Sequence, residues 1–161
     1  MSLVFRSEDG RQCLVLSSKA VAVIQEQAQR KHPHETGGIL VGYYDESYHL
    51  ATAVLATPPP LDSKHGPVTF ERGILGIKEL LADCKAQDPP LHYLGEWHTH
   101  PNNRPRPSGV DIRQMRCFAL RRLYGASSPL LLIVGGVPPD ALEWRAAIYR
   151  PWRSPTCLEV L

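Results

Sequence analysis

The run from His92 to Pro101, His-Tyr-Leu-Gly-Glu-Trp-His-Thr-His-Pro, constrains this chain more than any other segment. Its apolar and aromatic content reads as a central strand, and Pro101, which lacks an N–H and has a fixed φ, marks where that strand stops. Alternate residues of a strand project to opposite faces, so His98 and His100 present two imidazoles on one side while Thr99 turns to the other. Glu96 shares the parity of the histidines. Any fold adopted by the chain must therefore give a use to two imidazoles aimed the same way at the end of a buried strand.

The rest of the chain supplies alternating strands and helices around this one. Gln12 to Leu16 reads as a short strand. Ser17-Ser18 offers an N-cap for an amphipathic helix from Lys19 to Lys31, with Val21, Ile24 and Ala28 on its apolar face. After the His32-Pro33-His34 break, Thr36 to Tyr44 has the β-branched and aromatic content of a buried strand, and Tyr48 to Ala56 forms its hairpin partner across Asp45-Glu46-Ser47. Thr57 to Pro67, with four prolines, is a loop before a short strand at Val68 to Phe70. A helix is expected from Glu71 to Ala86, ended by Pro89-Pro90. A second begins at Ser108-Gly-Val-Asp111 and continues through Met115, Leu120 and Leu123. Pro129 to Gly135 and Ala141 to Tyr149 complete the pattern as two late strands, leaving residues 150–161 as a tail of unassigned structure. Tyr48 to Ala56, or Val68 to Phe70, is a candidate edge strand that could receive an extended peptide by strand addition.

Composition narrows the class without choosing a partner. At 161 residues, 43% hydrophobic and 21% charged, the chain suits one globular domain with its own core and falls outside the disordered range. A net charge of +2 is too slight to argue for nucleic acid or a membrane surface. The first ten residues carry Arg6, Glu8 and Asp9 where a secretory signal needs an apolar run, so a cytoplasmic location is expected. Cys13, Cys84, Cys117 and Cys157 form no Cys-x-x-Cys pair and read as reduced, buried residues. Trp97, Trp144 and Trp152 read as core or tail-packing aromatics, and Tyr43 and Tyr44 as strand residues or as the lining of a substrate groove.

The loop from Asn102 to Pro107 lets the chain reverse after the His-x-His pair, and Asp111 in the first helical turn can bring a carboxylate to the same point. Two histidines and one aspartate fit a catalytic zinc, which takes three protein ligands at about 2.0 to 2.2 Å and keeps a fourth position open. Such a site needs a carboxylate base that is not itself a strong ligand. Glu35 is the first candidate, just before Gly37-Gly38, and Glu96 is a rival with an equally good claim to a charge-pairing role. The Ser108 hydroxyl can cap the helix and also donate to an oxyanion. The arginines at 104, 106, 113, 116, 121 and 122 are either a solvated face or a basic rim for an acidic partner. The remaining histidines, 32, 34, 49, 65 and 92, read as surface or turn residues.

Glu35, then His98-Thr99-His100-Pro101, six residues, Ser108, two residues and Asp111 together resemble the JAMM motif of the JAB/MPN metalloproteases. The resemblance implies an α/β fold, a single JAB/MPN domain that is cytidine-deaminase-like with a mixed β-sheet flanked by helices. It implies one Zn2+ held by His98, His100 and Asp111, with Glu35 as base and Ser108 supporting the oxyanion. The implied reaction is hydrolysis of the peptide or isopeptide bond after a ubiquitin-like C-terminal tail. The compact chain, with Glu-Thr-Gly-Gly and Gly-Glu-Trp-His-Thr-His-Pro, is most similar to the bacterial JAB peptidases of anti-phage (CBASS) signalling. That likeness implies a protein substrate in which a cGAS-like nucleotidyltransferase has been conjugated to targets by an E1/E2-type enzyme, with no nucleic acid or membrane partner. A non-catalytic MPN-type scaffold, or a JAB peptidase acting on another ubiquitin-like modifier, is the alternative. A zinc deaminase would need a His-x-Glu and a Cys-x-x-Cys pair, and the chain has no Cys-x-x-Cys.

Overall fold

A computed structural model describes residues 1–161. In chain order the elements are β1 (Leu3–Arg6), β2 (Cys13–Leu16), α1 (Ser18–Lys31), β3 (Gly37–Tyr44), β4 (Leu50–Ala56), β5 (Lys64–His65), β6 (Phe70–Glu71), α2 (Ile77–Lys85), β7 (His92–Pro101), α3 (Gly109–Arg121), β8 (Leu130–Val137), β9 (Ala141–Ile148) and β10 (Thr156–Val160), with a single 3₁₀ turn at Leu123–Gly125. The expected mixture of sheet and helices is present, and the mixed sheet is a closed barrel. It closes in the order β1-β10-β9-β8-β7-β3-β4-β2, while β5 and β6 form a separate hairpin. Within the barrel only β2 with β4 and β7 with β8 run parallel.

Three apolar clusters explain why the central strands are hydrophobic on both faces. Leu40, Leu94, Trp97, Leu130, Leu132 and Val134 share the largest cluster with Ala20, Val21 and Ile24 of α1. The opposite face of β3 contributes Ile39 and Val41 to a second cluster with Ile77 and Cys84 of α2. Leu131 and Ile133 turn outward to Met115 of α3. A strand covered on both sides loses the apolar/polar alternation, which is why β3 and β8 read as continuous apolar runs.

An irregularity in β7 decides which way its histidines face. Leu40 pairs with Gly95 but Val41 pairs with Tyr93, so Leu94 is an extra residue in the ladder. Leu94 and Trp97, three apart, consequently both enter the main core, and Glu96, His98 and His100 share the other face. Gly95 makes this possible because a Cβ there would run into the Leu130 carbonyl. Gly95→Ala is therefore expected to destabilise the protein by about 1–3 kcal/mol through forced separation of β7 and β8, measurable as a lower urea midpoint.

Several expectations are corrected by pairings distant in sequence. β4 is flanked by β2 and β3, so Tyr48 to Ala56 contains no edge strand; its strand portion begins at Leu50. The tail contains β10, which joins β9 to β1, and β1 itself had no visible pattern. The helix expected from Glu71 starts only at Ile77. Phe70 and Glu71 pair with β5, and Asp62 accepts hydrogen bonds from the Ile74 and Leu75 amides at 3.0 and 3.1 Å, which holds that stretch out of the helix. α1 begins as expected, with the Ser17 hydroxyl accepting from the Ala20 amide at 3.1 Å. All four cysteines are free, but only Cys84 is buried and Cys157 is exposed. Trp97 is enclosed, whereas Trp152 is 90% exposed and packs nothing.

Candidate metal centre and active site

β7 delivers His98 and His100 to the rim of the barrel between β3 and β8, where His98 lies opposite Gly37 on one side and Ile133 on the other. The chain then turns back across Gly135, whose missing side chain leaves room for the backbone of Asn103, Arg104 and Pro105. α3 begins directly afterwards. Ser108 is its N-cap: the hydroxyl accepts from the Asp111 amide at 3.1 Å, and the Asp111 carboxylate accepts from the Ser108 amide at 2.6 Å. This reciprocal capping box satisfies two helix-end donors and also fixes the rotation of the carboxylate.

So oriented, Asp111 reaches both imidazoles. Its two oxygens lie 3.5 Å from His98 Nε2 and 3.5 Å from His100 Nε2, and the two Nε2 atoms are 3.0 Å apart. One nitrogen or oxygen from each of the three residues falls within 4.8 Å of the others. Tetrahedral coordination at about 2.0–2.1 Å puts neighbouring donors about 3.3 Å apart, so the spacing, the donor types and the convergence all suit a divalent cation such as zinc. His98, His100 and Asp111 could hold it.

The charge environment of the site follows from the same packing. Burial penalises the Asp111 carboxylate, but hydrogen bonds from His100, His98 and the Ser108 amide, with the charge of His98, overcome that and hold its pKa well below the usual range. Burial likewise opposes protonation of His100, yet the Asp111 hydrogen bond and the nearby Glu35 and Asp111 charges raise its pKa.

Glu35 sits between α1 and β3. Its amide donates to the Gly66 carbonyl at 2.8 Å, and its carbonyl oxygen is 2.9 Å from His65 Nδ1. The next residue is pinned to β7, with the Thr99 amide donating to the Thr36 carbonyl and the Thr36 amide donating to the Thr99 hydroxyl. The Glu35 carboxyl lies on the same cleft as the three metal-ligand candidates. Burial raises its pKa, opposed by the charges of His100 and His98 and aided by that of Asp111. A carboxyl beside candidate metal ligands, and not itself one of them, is placed to accept and return a proton.

All five sequence-derived candidates, Glu35, His98, His100, Ser108 and Asp111, line one cleft of about 630 Å³, with Val68, Phe70, Arg104, Arg106 and Val110 around them. Glu96 reaches this cleft as well, but its carboxylate is consumed: Arg72 Nε and Nη2 donate to its two oxygens at 2.5 and 3.0 Å, and the Tyr93 hydroxyl donates at 2.7 Å. Of its two readings from sequence, charge pairing is the one the geometry supports. Sequence reasoning missed Arg72, which fell inside an expected helix, and His65, which had no distinguishing spacing. Tyr44 lines a different cavity, at the His92 end of β7, so it is not part of this cleft.

Residues 17–147 match the family described as prokaryotic homologs of the JAB domain. The chain belongs to the JAB family. A protein of Enterobacter hormaechei subsp. hoffmannii named CD-NTase/cGAS isopeptidase is 37% identical to this JAB chain over 147 residues, spanning 91% of this chain and 80% of that one. A protein of the same name from Pseudomonas aeruginosa is 30% identical over 118 residues, spanning 72% and 73%. The solution structure of protein DSY2949 from Desulfitobacterium hafniense matches this JAB domain with a TM-score of 0.61 at 22% identity, covering 89% of this chain and 88% of that chain, so the fold is shared.

Proposed function

We propose that this single JAB domain is a zinc-dependent isopeptidase that cleaves after the C-terminal residue of a protein conjugated in the manner of ubiquitin. The observation that carries the reading is the convergence of two imidazole nitrogens, a capped carboxylate and a separate half-buried carboxyl on one cleft. The name CD-NTase/cGAS isopeptidase, carried by the similar proteins, supports a cGAS-like nucleotidyltransferase as the substrate class. On this reading it is attached through its C-terminal tail by an E1/E2-type enzyme in bacterial anti-phage (CBASS) signalling. The protein would act in the cytoplasm. No helix is long and apolar enough to cross a membrane.

His98, His100 and Asp111 would hold the zinc. Bound there, the metal supplies Lewis-acid polarisation of the scissile carbonyl and acidification of water. Glu35 takes a proton from the attacking water and returns it to the departing lysine amine. The Ser108 hydroxyl accepts from the Asp111 amide, which leaves its own proton free to donate to the oxyanion of the tetrahedral intermediate. Arg104 and Arg106 on the cleft rim offer charge to backbone carbonyls or a carboxylate of the tail.

The test is a fusion of the nucleotidyltransferase tail to a reporter, joined either linearly or through a lysine side chain and analysed by intact mass. Release directly after the last residue of the tail is expected. Intact fusion at enzyme concentrations that carry stoichiometric zinc would instead favour another modifier or a scaffold.

A further inference from the structure

The β5–β6 hairpin forms the wall of the cleft facing α3, presenting Val68, Thr69 and Phe70 to the site. With two residues in each strand, it is far too short to hold its own position. Two anchors hold it instead, and both attach to the catalytic apparatus. At one end the Gly66 carbonyl and the His65 ring bond the peptide of Glu35, and Phe70 occupies the space that a side chain at Gly37 would fill. At the other end Arg72, the first residue after β6, is clamped to Glu96, two residues before His98.

We propose that the buried Arg72–Glu96 pair is a positioning device, which locks the hairpin against β7 and so sets how a substrate tail lies across Glu35 and the His98–His100–Asp111 group. This rests on the isopeptidase reading. The side chains are only 9% and 10% exposed. Every strong interaction of the pair is used: Arg72 also donates through Nη1 to the Gly73 carbonyl at 2.7 Å, and Tyr93 donates to Glu96. A well-packed apolar pair would serve stability as well or better than buried charges. What the two-pronged guanidinium–carboxylate contact adds is a fixed direction as well as a fixed distance. Here that direction orients a segment whose other anchors are the peptide of Glu35 and the seat of Phe70 beside Gly37. Because Glu96 is saturated by Arg72 and Tyr93, it takes no proton from substrate; it acts through the hairpin.

Two variants test this: Glu96→Gln, which keeps the shape and the Tyr93 partner but takes the counter-charge from Arg72, and the double replacement Arg72→Met with Glu96→Leu, which leaves no buried charge alone. Zinc content, KM and kcat on the tail fusion, and amide hydrogen exchange across residues 61–75 are measured for each. The expected result is wild-type zinc, KM raised about tenfold or more with kcat within about threefold, and faster exchange confined to 61–75. Unchanged KM, or unchanged exchange in that segment, overturns the proposal. If the wild-type protein cleaves no tail, the proposed substrate fails by itself, in favour of another modifier or a scaffold, and the exchange measurement still decides whether the pair locks the hairpin.

Discussion

Replacing Glu35 by alanine is expected to lower kcat for tail cleavage by about 10²- to 10⁴-fold, the range associated with a positioned general acid–base, while leaving zinc stoichiometry and KM close to wild type. The reasoning is geometric. Glu35 shares the cleft with His98, His100 and Asp111 without being one of the converging donors, and its main-chain bonds to Gly66 and His65 do not involve the side chain. Removing the carboxylate therefore takes away the proton carrier and little else. Steady-state kinetics with elemental analysis of the same preparation checks both halves. Near wild-type turnover would remove Glu35 from the mechanism, and loss of zinc would make it a ligand.

Asp111→Ala should do more damage, because one carboxylate serves two purposes. It is the third donor of the metal group, and it completes the α3 capping box with Ser108. The expected result is loss of bound zinc, no measurable cleavage, and a fall in stability of the chelated protein of about 1 kcal/mol from the broken cap. The zinc-loaded comparison should show a larger gap, since a metal that binds only the folded state adds its own linkage stabilisation. Ser108→Ala separates the two roles: it should weaken the cap but retain zinc. Melting curves with and without chelator measure each contribution. Full zinc occupancy in Asp111→Ala would show that the aspartate is a capping residue only.

Legibility in the sequence followed the range of the interactions. The His-x-His pair was readable because strand period and the Pro101 stop are local, and the Ser108–Asp111 cap because a helix start has a three-residue signature. That the histidines share a face with Glu96 came out correctly, since the extra residue at Leu94 lies upstream of all three. Glu35 stands 63 residues before His98; its place just before Gly37-Gly38 made it a candidate base, and the motif resemblance favoured it over Glu96. What stayed hidden depended on pairings that no local pattern encodes. β10 has one buried residue, Leu158, and so lacks a visible period. Closure of the barrel depends on a parallel register between β2 and β4. The start of α2 is displaced by Asp62 and Arg72, which hold residues 72–75 through bonds to distant groups.

On the proposed function, metal held by His98, His100 and Asp111 is what makes the cleft a peptidase. The most direct measurement is release of the reporter from the tail fusion before chelation, after chelation and after stoichiometric zinc is restored, with His98→Ala carried through the same cycle. Cleavage that disappears with chelator, returns with one zinc per chain and never appears in His98→Ala is the predicted result. Cleavage that persists in the chelated protein would contradict the account.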